Sequence, residues 1–306
     1  MALGATPARI AALLVVLPLL VSSAAAQAPS SIPHGETLQA LIDAAPAGDW
    51  RSIDPENTLY LTLPQGRVVI ELAPGFAPKH VANLQKLARA GFFDGLDVVR
   101  SQDDYVVQWG DTDAKRPLGG ASRTLKAEFD RSFERTEAFT SLPDPDTYAP
   151  NVGFAGGFPA ARDPATGRTW LVHCYGMVGA GRDNDADSGG GLELYAVNGQ
   201  APRQLDRNVT LLGRVIMGMD ILSALPRGHG DLGFYQTPAE RIQITSITLA
   251  SQVPAPQRLR LEALRTDSAS FAAVVQNRRY RKDDWYKTPA GRIDVCNVPL
   301  PVREAK

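Results

Sequence analysis

The residues best suited to chemistry lie in one segment, DVVRSQDDYVVQWGD, from Asp97 to Asp111. Side chains of an extended chain alternate between two faces, so Val106 and Gln108 share one face while Tyr105 lies on the other. Arg100, at the end of the preceding strand, adds rigid donors and a permanent positive charge. The spacing predicts a cationic donor and an amide held beside apolar surface, an arrangement that acts electrostatically and needs neither a nucleophile nor a metal.

Other catalytic chemistries find little support in the sequence. No Gly-x-Ser-x-Gly elbow occurs, and the glycines at 179 and 181 do not open a βαβ unit, which argues against a hydrolase and against a dinucleotide site. The two cysteines and four histidines show no metal-ligand spacing, so we expect no metal and no cofactor. His173 is expected to be a structural strand residue.

The segment DNDADSGGGLE, from Asp183 to Glu193, leaves a second possibility open. Its alternating aspartates resemble the first ligands of a calcium loop. However, position six is Ser188 where such loops have glycine, the acidic Glu193 comes one place early, and helical flanks are missing. A flexible acidic surface loop is the favoured interpretation.

The elements that must position the site begin at Thr58. TLYLTL and VVIEL alternate on either side of a PQGR turn, which predicts a β-hairpin. APKHVANLQKLARAG predicts an amphipathic helix, GMDILSALP a shorter one, and RIQITSITLA a strand or a bent pair of strands. Many short strands without a repeating βα rhythm favour a closed antiparallel β-barrel capped by helices.

The two ends of the chain differ in composition from this central region. Residues 1–26 combine Arg9, an apolar run and an Ala-x-Ala site, the pattern of a cleavable signal peptide, with a membrane anchor as the lesser alternative. Residues 27–54 are predicted to be a linker with a short helix at ETLQALIDAA, and residues 252–306 an extension with a helix at DSASFAAVVQNRR. We expect a periplasmic or secreted protein with no membrane contact after cleavage.

Composition and charge agree with a globular protein. The 306 residues are 44% hydrophobic, enough for a substantial core, and the formal net charge is −1. Acidic and basic residues are interleaved, so we expect no nucleic-acid partner. In an oxidising compartment Cys174 and Cys296 could form a disulfide that joins the tail to the core; the alternative is one buried and one exposed thiol.

The order of elements from Thr58 to Leu249 resembles the cyclophilin family of peptidyl-prolyl cis-trans isomerases. That family reads approximately F-H-R-x-x-x-x-F-M-x-Q-G-G-D around its reactive arginine. The residues that fall in register are Arg100, Tyr105, Gln108, Gly110 and Asp111. The resemblance implies a mainly β fold over residues 55–251: a closed antiparallel eight-stranded barrel capped by two α-helices, followed by a helical or irregular C-terminal extension.

The resemblance also implies an activity, isomerisation of X-Pro bonds in proline-containing segments of exported proteins, by a monomer. Rotating such a bond destroys amide resonance, with a barrier of about 18–20 kcal/mol, and leaves a lone pair on the prolyl nitrogen. Arg100 is the expected catalyst, because a fixed donor aimed at that nitrogen favours the twisted bond over either planar one. Gln108 would bind neighbouring backbone and orient Arg100, and Tyr105 and Val106 would hold the proline ring.

The second half of the site departs from the family pattern. Where the family has S-Q-F-F, we expect Leu192 at the glutamine and Leu194 at the pocket phenylalanine, so that Leu194 forms the floor of the proline pocket. Leu205 keeps the usual leucine and is expected to bind substrate, but Gln204 and Val209 replace a tryptophan and a histidine. The alternative function is therefore a catalytically weak binding or chaperone module for proline-containing segments.

Overall fold

Apart from Met1, the computed structural model describes residues 36–305, so the predicted signal peptide, residues 1–26, and the start of the linker lie outside the described residues. Within the described part, the helices are α1 (Leu38–Ala44), α2 (Pro78–Arg89), α3 (Met219–Ala224) and α4 (Ala269–Arg279). The strands are β1 (Trp50–Ser52), β2 (Thr58–Leu63), β3 (Gly66–Leu72), β4 (Asp97–Ser101), β5 (Tyr105–Gly110), β6 (Arg131–Ser132), β7 (Thr140–Ser141), β8 (Asn151–Ala155), β9 (Phe158–Asp163), β10 (Arg168–Leu171), β11 (Met177–Ala180), β12 (Glu193–Asn198), β13 (Leu211–Met217), β14 (Ile242–Gln243), β15 (Ser246–Leu249), β16 (Leu261–Leu264) and β17 (Val302–Glu304). In this part of the chain no helix is both long enough and apolar enough to cross a bilayer.

The central barrel is an antiparallel sheet in the order β14-β4-β5-β12-β11-β13-β3-β2-β15. β14 and β15 are two halves of one bent strand, and they continue the pairing at opposite ends of the sheet. The backbone N–H of Ile244 donates to the Leu96 carbonyl at 2.7 Å, and that of Thr245 donates to the Thr62 carbonyl at 2.9 Å. The sheet therefore closes on itself with eight strands, which confirms the expected fold class.

Every second side chain along the strands points inward, and these side chains fill the barrel. The inward-facing residues of β2 and β3 are Leu59, Leu61, Leu63, Val68, Ile70 and Leu72. Between them Tyr60 faces outward and packs in a separate cluster. Helices α2 and α3 close the barrel, as predicted, with Leu84 and Leu87 of α2 and Leu222 of α3 buried against its core. Each such side chain stabilises the fold by roughly 1.5–3 kcal/mol relative to an exposed one.

A second sheet, in the order β6-β10-β9-β8-β7, covers one outer face of the barrel. Apolar residues of both sheets form a common cluster that also includes one face of α4. The rings of Phe154 in β8 and Phe271 in α4 meet edge to face, with centroids 5.0 Å apart. Part of the outer face of the barrel beside β5 and β12 is therefore packed against protein.

Glu128, in the segment that leads into this second sheet, caps helix α2. The N-cap residue of the helix, Ala77, has no side chain that could accept a hydrogen bond. The Glu128 carboxylate accepts from the backbone N–H of Lys79 at 3.1 Å and of His80 at 3.0 Å. A carboxylate at this position satisfies free helix donors and interacts favourably with the positive end of the helix dipole. We call the segment from Glu128 to Leu171, which contains the second sheet, the insertion. Glu128 thus ties the insertion to the barrel.

The two ends of the described chain pair with each other, which the sequence did not predict. β1 and β17 flank β16 in a three-stranded sheet, and helices α1 and α4 pack together. A disulfide joins Cys174 to Cys296 and attaches the C-terminal extension covalently to the barrel region. The extension thus contains strands as well as a helix, because segments as short as LEAL and VRE show no period in the sequence.

Candidate active site

An open groove of about 1060 Å³ lies on the outer surface of the barrel, over β5 and the start of β12. Its polar lining includes Arg100, Gln108 and Glu193. Its apolar lining includes Tyr105, Val106, Leu192, Tyr195, Leu205, Val209, Leu232 and Phe234. The groove is therefore wide enough to take a segment of polypeptide and has one side that can hold an apolar ring.

Arg100 is half-buried in this groove, and its guanidinium is held from three directions. Nε donates to the Leu232 carbonyl at 2.6 Å, Nη1 donates to Gln108 Oε1 at 3.2 Å, and Nη2 donates to Gln102 Oε1. The rings of Tyr105 and Phe234 lie 5.4 and 5.2 Å from its central carbon. Burial lowers the pKa of Arg100, against a smaller opposing effect of Tyr105, but an arginine stays charged.

A β-bulge aims Arg100 at the groove. Val98 pairs with Trp109, yet Arg100 pairs with Gln108, so Val99 is an extra residue in β4. A bulge of this kind changes which face the following side chain occupies. Without it, Arg100 would lie out of step with Gln108, and the two side chains would not meet.

Gln108 links Arg100 to an acidic residue. Its Nε2 donates to Glu193 Oε2 at 2.8 Å, while its Oε1 accepts from Arg100. Burial raises the pKa of Glu193, and the negative charges of Asp183 and Asp111 add to this, whereas the hydrogen bond from Gln108 opposes it. We call Arg100, Gln108 and Glu193 the groove chain.

A second line of polar residues runs beneath the groove. Tyr195 lines the groove with its ring, and its hydroxyl lies 3.0 Å from Nε2 of His173. Nδ1 of His173 lies 2.9 Å from Asp206 Oδ1. A carboxylate only accepts, so Nδ1 carries the proton and Nε2 accepts from the tyrosine. Burial raises the pKa of Tyr195, which keeps its hydroxyl protonated as a donor.

Arg203 extends this line into the insertion. Its Nε donates to Asp206 Oδ2 at 2.7 Å, and its two terminal nitrogens donate to Asp146 at 2.8 and 2.9 Å. The side chain of Arg203 is only 5% exposed and that of Asp146 only 4%. We call Tyr195, His173, Asp206, Arg203 and Asp146 the buried chain.

Five of the six predicted catalytic and binding residues come together in the groove. They are Arg100, Tyr105, Val106, Gln108 and Leu205. The expectation for Leu194 is wrong: it is fully buried in the barrel core, on the opposite face of β12 from the groove. The S-Q-F-F pattern was placed one residue too early, and in the structure Glu193 lies at the glutamine and Tyr195 at the second phenylalanine.

Four further side chains that line the groove were not predicted from the sequence: Glu193, Tyr195, Leu232 and Phe234. For the first two, a signal was present. The glutamine and the second phenylalanine of S-Q-F-F share a strand face. Only the alignment that places Glu193 at the glutamine and Tyr195 at the second phenylalanine keeps an aromatic residue at the latter position. Leu232 and Phe234 come from the loop RGHGDLGF, far away along the chain. No local pattern indicates that this loop folds over Arg100.

In the acidic segment for which a calcium loop was the lesser possibility, two of the three aspartates bind backbone instead. Asp185 accepts from the N–H of Asp187 at 2.9 Å, and Asp187 accepts from the N–H of Ala127 at 2.8 Å. No group of three or more His, Cys, Asp and Glu side chains that could hold a metal ion is found in the described part of the chain. The arrangement is that of a surface loop stabilised by its own side chains.

Comparison with known proteins agrees with this geometry. The sequence model of the family described as "Cyclophilin type peptidyl-prolyl cis-trans isomerase/CLD" matches residues 58–249. The chain belongs to this family. It is a cyclophilin-type peptidyl-prolyl cis-trans isomerase, an enzyme class that the residues around Arg100 had already indicated.

Relatives of this cyclophilin occur in bacteria and animals. The "Probable peptidyl-prolyl cis-trans isomerase" of Brucella suis is 27% identical over 194 residues, which cover 63% of this chain and 83% of that protein. The human "Peptidyl-prolyl cis-trans isomerase-like 1" is 29% identical over 202 residues, 66% of this chain and 95% of that protein.

A solved structure extends the likeness beyond the barrel. The cyclophilin AquaCyp293 from Hirschia baltica is 26% identical, with a TM-score of 0.67, and covers 89% of this chain and 99% of its own. Because the family match stops at residue 249, this larger coverage includes part of the terminal segments.

Proposed function

We propose that this cyclophilin isomerises X-Pro bonds in proline-containing segments of exported proteins, with Arg100 as an electrostatic catalyst and without a covalent intermediate. One observation carries the proposal: the guanidinium of Arg100 is held rigidly, yet its contacts do not occupy all of its N–H donors. It has five N–H donors, and three of its contacts are to Leu232, Gln108 and Gln102. Within the part of the chain that the structure describes, two donors are left for a substrate in the groove.

The geometry supports a mechanism based on charge alone. A proline ring packed against Val106 and the Tyr195 ring would place its nitrogen near Arg100. As the bond twists, that nitrogen gains a lone pair, and a donor already in position stabilises the twisted state more than either planar state. Because the two aromatic rings and three hydrogen bonds hold the guanidinium, little reorganisation is needed at the moment of rotation.

The test compares wild type with Arg100→Ala and Arg100→Lys in cis–trans exchange of a proline peptide, measured by NMR without a coupling protease. Loss of one fixed donor of this kind costs about 10²–10³-fold in rate. We expect that loss in kcat/KM for Arg100→Ala and a smaller one for Arg100→Lys, which keeps the charge but not the fork of donors. The matched control is Arg89→Ala, because Arg89 is an exposed arginine at the end of helix α2 that pairs with Glu56. Equal rates for Arg100→Ala and wild type would contradict the assigned role.

A binding or chaperone module remains the second candidate, and one feature of the groove favours it. Val209 and Leu205 make its far wall purely aliphatic, and Gln204 is exposed to solvent outside the groove. An aliphatic wall can hold a proline ring, but it offers fewer oriented contacts than an aromatic one. Peptide binding without any acceleration by wild type would establish this alternative.

Export is part of the proposal and rests on two features. Residues 1–26 have the pattern of a cleavable signal peptide, and disulfides such as Cys174–Cys296 persist mainly in oxidising compartments. We propose a monomer that acts in the periplasm or outside the cell, without nucleic-acid or membrane partners. Expression in a Gram-negative host, with mass determination of the periplasmic product, tests this: the mature chain should begin at Gln27.

A further inference from the structure

Glu193 is the residue of the groove chain whose type departs from the family pattern. It lies at the glutamine of S-Q-F-F and contacts Gln108 through a 2.8 Å hydrogen bond. Within the described residues, Glu193 Oε2 accepts this bond and no other side chain donates to the carboxylate. A carboxylate therefore replaces an amide at the position that touches the neighbour of the catalytic arginine.

The ionised carboxylate removes an ambiguity from the Gln108 amide. An amide group can present either its oxygen or its NH₂ in a given direction, but an ionised carboxylate can only accept. Glu193 must therefore face the NH₂ of Gln108, which turns Oε1 of Gln108 towards Arg100 Nη1 at 3.2 Å. The reverse orientation would place NH₂ donors against a cation and remove one of the three contacts that hold the guanidinium.

We propose that Glu193 is a positioning residue: its carboxylate orients Gln108 and, through Gln108, the guanidinium of Arg100, so that isomerase activity falls when the carboxylate is protonated. The inference rests on the proposed role of Arg100. A protonated Glu193 can donate to Gln108 Oε1, which stabilises the reversed amide. The catalytic donor then loses a fixed contact and samples more orientations.

The charged and titratable groups around Glu193 set the direction of this response. Asp111, at the end of β5, and Asp183, in the acidic loop, both disfavour the ionised form, and burial acts in the same sense. The other groups on the groove walls are Arg100, Arg123, Arg182, Asp185, Tyr105 and Tyr195. The pKa of Glu193 is raised above its ordinary 4.5, so the carboxylate takes up its proton at a higher pH than an exposed glutamate.

The experiment measures kcat/KM from about pH 8 to about pH 5 by NMR exchange with acetyl-Ala-Ala-Pro-Ala-amide, a peptide that has no titrating group in that range. Wild type, Glu193→Gln and Asp183→Asn are compared, and near-UV circular dichroism at each pH monitors folding. We expect wild type to lose activity progressively on the acid side, in proportion to the protonated fraction of Glu193, with a limit of about three- to tenfold when Glu193 is fully protonated. Glu193→Gln should be lower than wild type by about two- to fivefold at pH 8 and flat below it.

Asp183→Asn distinguishes titration of Glu193 from a purely structural role of that residue, because a structural role would leave the pH profile of activity unchanged. Removing this negative charge should shift the acid limb to lower pH, because Asp183 raises the pKa of Glu193. Carboxyl-detected NMR of wild type should give a Glu193 midpoint that coincides with the activity midpoint. An acid limb in Glu193→Gln that matches wild type, or midpoints that do not coincide, would overturn the inference.

The same assay keeps this inference separate from the proposed function. If Arg100→Ala is inactive but Glu193→Gln follows the wild-type pH profile, the positioning role fails and the catalytic role of Arg100 stands. If Arg100→Ala and wild type have equal rates at pH 8, the proposed mechanism fails. In that case the positioning role fails with it.

Discussion

The groove chain and the buried chain start two residues apart on β12 and use similar side chains, but they differ in how completely their donors are satisfied. In the groove chain, Arg100 is half-buried and keeps two N–H donors that have no partner among the described residues. In the buried chain, Arg203 is almost fully enclosed and binds two carboxylates, those of Asp146 and Asp206. Two residues on the same face of one strand thus belong to different networks: Glu193 to a site that can act on a ligand, and Tyr195, through its hydroxyl, to a network that holds the fold.

The groove chain and the buried chain also differ in the direction of the pKa shifts of their carboxyl groups. Burial raises the pKa of Glu193 with no cation bound to it directly. Burial would also raise the pKa of Asp146, but the hydrogen bond from Arg203, the backbone N–H groups of Tyr148 and Ala149, and the charge of Arg203 together outweigh that effect, and the pKa is lowered. A charge paired directly with its partner stays ionised, whereas one held through a neutral amide is easier to protonate.

The largest expected effect comes from breaking the buried chain. Arg203→Met leaves the carboxylates of Asp146 and Asp206 without their guanidinium partner, and loss of one member of a buried ion pair costs about 3–5 kcal/mol. Urea unfolding should show this loss in the free energy of unfolding. The same change at Arg89, an exposed partner of Glu56, should cost less than about 1 kcal/mol. A similar cost at both positions would remove the distinction between the two kinds of pair.

A smaller effect is expected at the junction of the two chains. Tyr195→Phe keeps the ring that lines the groove but leaves Nε2 of His173 without its donor, which costs about 1–3 kcal/mol of stability for a buried acceptor. Peptide KM should change by less than about twofold, because the apolar surface is retained. The matched control is Tyr105→Phe, because the hydroxyl of Tyr105 makes no hydrogen bond in the described part of the chain. Loss of activity without loss of stability in Tyr195→Phe would place the hydroxyl in the reaction instead.

The smallest change in stability is expected on mild acidification, to which the groove chain and the buried chain should respond differently. A carboxyl with a lowered folded pKa stabilises the protein above its unfolded pKa of about 3.9 and loses that contribution only as the pH falls through the folded value. Asp146 should therefore keep its contribution at about pH 5, and the free energy of unfolding should change by less than about 1 kcal/mol. Glu193, with its raised pKa, takes up its proton first. Parallel measurement of activity and unfolding should find folded protein of reduced activity, and simultaneous loss of both would contradict this order.

Much of the fold could be predicted because its signals are local. The hairpin of β2 and β3 follows from strict alternation, and helices α2, α3 and α4 follow from apolar stripes with proline, glycine or serine at their ends. The pairing of β1 with β16 and β17 could not be predicted. These strands have three or four residues each, and their partners are far apart along the chain. Only the packed structure selects among such short segments.

The sequence by itself determined the central barrel and the strand pair that carries Arg100 and Gln108, because residue types at a spacing of two specify a face. The tertiary structure decided the register of β12. Three consecutive glycines precede that strand, and a shift of one residue moves every side chain to the opposite face, which is why Tyr195 and not Leu194 lines the groove. It also brought the Leu232 carbonyl to Arg100 from 132 residues away, since long-range contacts depend on how the whole barrel closes.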